Sequence, residues 1–499
     1  MTGSALGRLG ERLAEVHDLE RAATLLSWDE RVMMPPNGAQ ARAEALGTVG
    51  RLAQERFIDG EVGRLLEELR DVEESSDPDS FEASLIRVTR RRYEKATRVP
   101  PELVGEIRRA SALALAAWGP AKDASDFEGL RPHLEQILEL RHRYVSCFPT
   151  PDETYDILLD DYEPEMKTAE VRRIFDELKE EQRPLIDELA DAGDVDDSFL
   201  TGGFDPAAQR RVALEILRAF GYDEAEWRLD ETRHPFMSSP GAGDLRLTTN
   251  SRRDDLTSLF ATMHEFGHGL YEWGVDHALA RTPLGTGVSL GLHESQSRMW
   301  ENLVGRSRPF WRWFYPRLQE AFPAQLGSVD EESFYRAVNK VRPSLIRIDA
   351  DEATYNLHII LRFELEQELV EGRLTVADLP DAWNARMKEY LGVDVPDDAH
   401  GVLQDMHWTG GAFGYFPTYA LGNVMSVQIW ERALDDLGDL DDRFERGEFG
   451  DLREWLRGRL YAMGAKFTPQ ETIERVTGSR IDAKPYLGYL REKLAPQVA

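Results

Sequence analysis

The sequence predicts a mainly α-helical protein: a large helical body of two lobes around a cleft, with one small β-element. Three observations predict it. Apolar residues recur at three- and four-residue spacing through most of the chain, with charged faces between them. Strand signals are few. No long linker, internal repeat or low-complexity stretch divides the 499 residues, a length that buries a large core. We read a single domain, with an N-terminal helical lobe over roughly residues 1–200 and a catalytic lobe over roughly 201–499.

Residues 5–26, 40–73, 80–97, 101–118 and 124–145 carry the helical pattern. Glu74-Ser75-Ser76-Asp77 and the segment Ala192 to Asp197 read as exposed loops. So does Ser238-Ser239-Pro240-Gly241, which leads into a turn, Gly241-Ala242-Gly243. Asp244 to Thr249 alternates and reads as a short strand. As an edge strand it can pair with an extended peptide substrate; a small hairpin without a substrate role is the alternative. Asp254 and Asp255 stand where a helix starts. Leu256, Leu259, Phe260, Met263 and Leu270 give that helix a buried face, and Gly274 is its stop.

This helix carries His264-Glu265-Phe266-Gly267-His268. Residues four apart share a helix face, so His264 and His268 can aim ring nitrogens at one point. That is two of the three protein ligands of a catalytic zinc, and Glu265 stands beside them to take a proton from a water. Gly267 costs up to about 1 kcal/mol against Ala in a helix, which suggests a close backbone approach. The competing reading is a buried helix with two hydrogen-bonded histidines. A carboxylate on the next helix is the natural third ligand. Glu294 follows His268 by 26 residues, enough for a turn and a return; His293 competes with it on spacing. Glu301 lies two turns further along the same face and can fix the tautomer of a ligating His. Together these residues point to a zinc hydrolase.

Composition narrows the partners. The net charge is −31, which repels nucleic acid phosphates and anionic lipid. No run of eighteen apolar residues crosses a membrane, and the N-terminus lacks the pattern of a secretory signal. Cys147 is the only cysteine, so disulfides within the chain and thiolate zinc clusters are excluded. These features fit a cytoplasmic enzyme. Only nine of the 60 basic residues are lysine. An acidic, arginine-rich surface suits a salt-loaded cytoplasm, because salt screens its self-repulsion; a GC-rich genome would also favour arginine.

Two further segments hold reactive groups. One runs from Ile346 to Asn356 and includes Arg347, Asp351 and Tyr355. The other, Gly401 to Tyr419, sets His407, Tyr415 and Tyr419 around a glycine-rich loop. Peptide hydrolysis builds negative charge on the former carbonyl oxygen, and these three are donors of the right kind to meet it. An aromatic loop that merely caps the core is the alternative.

These motifs together resemble the carboxypeptidase Taq family of zinc metallocarboxypeptidases. The resemblance rests on Trp28-Asp29 with Met34-Pro35-Pro36, on Tyr155-Asp156, and on Leu159-Asp160-Asp161-Tyr162-Glu163-Pro164. His234-Pro235-Phe236, Asp244-x-Arg246-x-Thr248, the His-Glu helix and His293-Glu294-Ser295-Gln296 follow. Ile346-Arg347 with Ala350-Asp351, Gly401-x-x-Gln404-Asp405-x-His407-Trp408, Phe467-Thr468-Pro469 and Tyr486-Leu487 complete the order. It covers nearly the whole chain.

The resemblance implies a mostly helical fold with a long deep groove, usually as a homodimer. It implies release of C-terminal residues from peptides with broad specificity, proline being poorly tolerated. It implies His264, His268 and Glu294 as ligands of zinc, for which cobalt often substitutes, and Glu265 as general base. His407 and Tyr419, with Tyr415 second, are implied as oxyanion donors. Arg347 and Arg246 are candidates for binding the α-carboxylate, through paired charge-assisted hydrogen bonds, and His234 is a further substrate-binding candidate. An oligopeptidase or endopeptidase of the same chemistry is the nearest rival. An aminopeptidase is disfavoured because no Gly-x-Met-x-Asn precedes the metal helix. A non-catalytic scaffold would close its zinc with four protein ligands.

Overall fold

The computed structural model describes residues 4–149, 151–191, 195–252 and 254–498. Of the loop expected from Ala192 to Asp197, the first three residues lie outside this set, and residues 195–197 are irregular. Helices dominate, from Ala5–Val32 to Lys484–Val498. Ser4 caps the first by accepting a hydrogen bond from Gly7 N at 3.1 Å, and the helix outruns its expected end to include Trp28 and Asp29. The segment 40–73 is not one helix but three: Ala39–Phe57, Gly60–Glu68 and Arg70–Ser75. Asp59 causes the first break, because its carboxylate accepts from Glu61 N at 2.8 Å and starts a new helix there. Helices Phe81–Arg98, Pro101–Ala124 and Phe127–Val145 follow where the periodicity puts them.

The β-element has three strands: β1 (Trp227–Glu231), β2 (Met237–Gly241) and β3 (Asp244–Thr249). Their order is β1-β3-β2, with β1 parallel and β2 antiparallel to β3. This corrects two expectations. Residues 238–241 belong to a strand rather than a loop. And β3 is the central strand, so neither of its sides is open to a peptide. The sequence hides β2 because two serines, Pro240 and Gly241 are poor strand formers; proline is tolerated there because β2 is an edge. Tertiary bonds hold it in place. Phe236 N donates to Thr248 Oγ1 at 2.7 Å, and that hydroxyl donates back to Phe236 O at 2.8 Å.

The apolar interior falls into two clusters. The larger runs from Val99 to Leu494 and includes the His-Glu helix, with Phe266 fully buried. Truncating such a Phe to Ala costs about 3–5 kcal/mol. The smaller joins Leu9, Leu13, Leu65 and Ile86 of the N-terminal helices to Val275, Leu279 and Leu284, the chain that leaves the His-Glu helix. Trp28 adds a second tie. Its ring is covered by the guanidinium groups of Arg228 and Arg246, at 4.7 and 4.2 Å. Between these ties lies a cavity of about 560 Å³, bordered by His17, Arg21, Asp244, Glu272 and Trp273.

Candidate metal centre

The His-Glu helix spans Thr257–Gly274, and the following helix, Leu290–Arg298, lies against it. Asp255 starts the first by accepting from Thr257 N at 2.9 Å, and Ser289 caps the second by accepting from Leu292 N at 3.1 Å. Gly267 is the contact between them. A Cβ there would lie 2.4 Å from Gln296 O and 2.7 Å from Ser297 Cα, so only glycine allows this approach.

The approach brings His264, His268 and Glu294 together, with one ligand atom from each within 4.8 Å of the others. Glu294 Oε2 lies 3.5 Å from His264 Nε2 and 3.4 Å from His268 Nε2. His293 does not join them. It stands behind His268, with the two Nδ1 atoms 2.8 Å apart, and its Nε2 lies 3.2 Å from Glu272 Oε1. His264 Nδ1 lies 2.9 Å from Glu301 Oε2. Glu301 gets there through a π-helical turn, Met299–Val304, that continues the Glu294 helix with a wider turn. Both histidines therefore have Nδ1 occupied and Nε2 turned to the carboxylate. Two imidazole nitrogens and one carboxylate oxygen at such separation fit a divalent metal.

The electrostatics differ between the two histidines: burial lowers His264, but the charge of Glu294 and the bond and charge of Glu301 outweigh it and hold it above the usual imidazole value. Burial holds His268 down, at about 4, so its ring is neutral at pH 7. Burial pushes Glu294 up, but Arg298, His264 and His268 outweigh it and keep the carboxylate ionised. Arg298 donates from Nε to Glu294 Oε1 at 2.7 Å, leaving Oε2 toward the histidines. Burial raises Glu265 to about 7, in the range where a carboxylate both takes and returns a proton. Burial raises Glu272 as well, but the bond and charge of His293 and the N–H of Gly287 bring it to about 2.

The glycine-rich loop assembles a second face. His407 Nε2 lies 3.3 Å from Tyr419 OH, and the rings of Tyr415 and Tyr419 are 5.3 Å apart. Burial lowers His407 to about 4, so it is a neutral donor. Glu366 pins the loop: Trp408 Nε1 donates to it at 2.6 Å and Gly414 N at 2.9 Å. Arg298 links this face to the cluster of His264, His268 and Glu294, with its guanidinium 4.4 Å over the ring of Tyr355, which in turn meets Tyr419 at 6.2 Å.

Residues 8–494 match the family of carboxypeptidase Taq (M32) metallopeptidases. The chain belongs to that family. It is 43% identical to thermostable carboxypeptidase 1 of Thermus thermophilus, over 99% of this chain and 98% of that protein. It is 37% identical to carboxypeptidase 1 of Bacillus subtilis, over 96% of each. The crystal structure of the M32 carboxypeptidase from Deinococcus radiodurans superposes with a TM-score of 0.95 at 42% identity, covering 99% of both chains. The protein is a metallocarboxypeptidase, and the oligopeptidase alternative is not favoured.

Several other motif residues of this carboxypeptidase Taq chain have partners in the scaffold. Arg347 is buried; it donates from Nε and Nη2 to Asp405 Oδ1 at 3.1 and 2.8 Å, and from Nη1 to Tyr355 OH at 2.9 Å. Arg362, fully buried, takes the other oxygen of Asp405 at 2.7 Å. Gln404 Oε1 accepts from Arg347 N and from Arg362 Nη2. Arg246 is held in a fork by Asp244, at 2.7 and 2.8 Å, besides its stack on Trp28. His234 is exposed between β1 and β2. Asp351 holds the turn that leads into the helix Tyr355–Val370, accepting from Ala353 N and Thr354 N. Sequence reasoning missed Arg298 and Glu272, and singled out Tyr355 only as a member of a reactive segment. Arg298 carried a signal, standing four residues after Glu294 on one helix face.

Proposed function

We propose that this metallocarboxypeptidase holds zinc on His264, His268 and Glu294 and releases C-terminal residues from peptides of varied sequence. One observation carries the reading: both histidines have Nδ1 engaged, by Glu301 and His293, while both Nε2 atoms face one oxygen of Glu294. A mixed nitrogen and carboxylate set suits zinc, and cobalt after it, better than magnesium, which prefers oxygen. Bound there, the ion supplies a Lewis acid that polarises a carbonyl and acidifies water.

The chain supplies the rest. Glu265 takes the proton of the attacking water and returns it to the leaving amine. His407 and Tyr419, with Tyr415 beside them, donate to the oxygen on which charge develops. Arg347 is the choice for the α-carboxylate: a guanidinium has five N–H groups, and two of its five have no partner among the described residues. Arg246 is the weaker choice because Asp244 matches its charge, whereas Arg347 shares the one carboxylate of Asp405 with Arg362. His234 is a further candidate contact, being open to solvent.

The reading includes a cytoplasmic homodimer, supported by the family's usual state and by the single cysteine. Among the described residues no helix is long and apolar enough to cross a membrane. The test is digestion of one peptide in free and C-terminally amidated form by metal-stripped enzyme, before and after adding zinc, read by mass spectrometry. A ladder of single-residue losses from the free peptide alone, and only with zinc, is expected. Internal cuts, or equal loss from the amidated form, would overturn it.

A further inference from the structure

The two ligand histidines are oriented differently. His264 has a carboxylate of its own, Glu301. His268 has a neighbouring imidazole, and the carboxylate is one step further away, at Glu272. Glu272 Oε1 also accepts from Thr286 Oγ1 at 2.8 Å and from Gly287 N at 3.0 Å. Its other oxygen lies 3.7 Å from Nη2 of Arg21, on the N-terminal helix. Among the described residues Arg21 is the only guanidinium or ammonium paired with this buried carboxylate.

One pattern of protons satisfies the whole chain of contacts. Ionised Glu272 accepts the Nε2–H of His293. The Nδ1 of His293 then bears a lone pair and accepts the Nδ1–H of His268. His268 is left with a bare Nε2, the atom that faces Glu294. Any change that frees Glu272 to turn or take up a proton frees His293 to flip, and His268 loses both its tautomer and its angle. Arg21 guards against that change. Its own position is fixed by bonds to Ser239 O of β2 and to Gly285 O at 3.3 Å, and by its Nε donating to His17 Nε2 at 3.0 Å.

We propose that Arg21 is a positioning residue for the metal ligand His268, acting across the lobe junction through Glu272 and His293. The N-terminal helix donates no ligand, yet the grip on the metal depends on its seating. This rests on the ligand assignment made above.

The test reads metal affinity rather than turnover, by competition of a chromogenic chelator for Zn²⁺. Arg21→Met and Glu272→Gln are each expected to weaken Zn²⁺ binding about tenfold or more, the usual effect of losing an outer partner of a ligand. The double variant should be no weaker than the weaker single, because both act through one path. Glu272→Gln keeps the bonds of Arg21 to Ser239 and Gly285, so it reports on the relay and not on loosened packing. Asp18→Ala breaks the forked Asp18–Arg281 pair at the same junction and should bind Zn²⁺ like the parent. Parental affinity in Arg21→Met, or multiplied losses in the double variant, would overturn the proposal. Parental affinity in His268→Ala would instead overturn the ligand assignment itself.

Discussion

Gly422 lies directly against the side chain of Glu294. A Cβ at Gly422 would sit 2.6 Å from Glu294 Cγ and 2.7 Å from its Cβ. The helix Pro417–Leu437 thus serves as the wall that this carboxylate side chain is pressed on. We predict that Gly422→Ala folds but loses metal affinity about tenfold or more, since a ligand displaced by a fraction of an ångström no longer matches the ion. Metal content after gel filtration checks this; a variant that keeps stoichiometric metal would show that the wall can yield.

Glu265→Gln should bind metal like the parent and lose nearly all turnover. The amide keeps the shape but cannot take a proton, and general-base groups contribute about 10²–10⁴-fold. Metal content and kcat, measured on the same preparation, decide it. Turnover near the parental value would remove Glu265 from its role.

Arg347→Ala should raise KM for free peptides while sparing the residual cleavage of amidated ones. The comparison matters because Arg347 also pairs with buried Asp405, and breaking a buried pair costs about 3–5 kcal/mol of stability. A loss of folding would strike both substrates alike. Only the anchor role separates them.

The pH dependence of stability should show Glu163. This carboxyl is fully buried behind the Glu294 helix, where it accepts from Gly291 N, and burial pushes it up to about 8. Its folded value lies above its unfolded one, so the stability it contributes is complete below about 4.5 and is lost as pH rises through about 8. Glu163→Gln removes the ionisation. The difference in Tm, variant minus parent, should therefore grow in favour of the variant between pH 5 and pH 9. Parallel curves would show that Glu163 does not titrate in this range.

With a net charge of −31, folding and activity should improve from dilute buffer toward multimolar KCl if the surface is adapted to salt. Full stability in dilute buffer would leave base composition as the reason for the arginine bias.

Much of the site was legible because its signals are local. His264 and His268 stand four apart on an amphipathic helix, and that spacing alone puts them on one face. Gly267 announced a close approach for the same reason, and Gln296 and Ser297 prove to be what approaches. The helices to residue 145 follow their periodicity, except where Asp59 supplies a cap that competes with it. The β-element was half legible. The alternation of β3 is a property of the strand, but its central place depends on which segments pair with it, and β1 and β2 carry little strand signal.

Sequence alone therefore determined the helical class and the His-Glu motif, which are written in spacing along the chain, and its ordered motifs carried the resemblance to the family. Spacing left Glu294 and His293 both open and the family resemblance implied Glu294; the tertiary structure places Glu294, not His293, in the cluster, because one step along a helix turns a side chain by about a quarter of a revolution. It also decided that Arg347 and Arg246 are held by Asp405 and Asp244, and that Arg21 reaches Glu272 from 251 residues away. Such pairings follow from which surfaces pack together, and no local pattern encodes them.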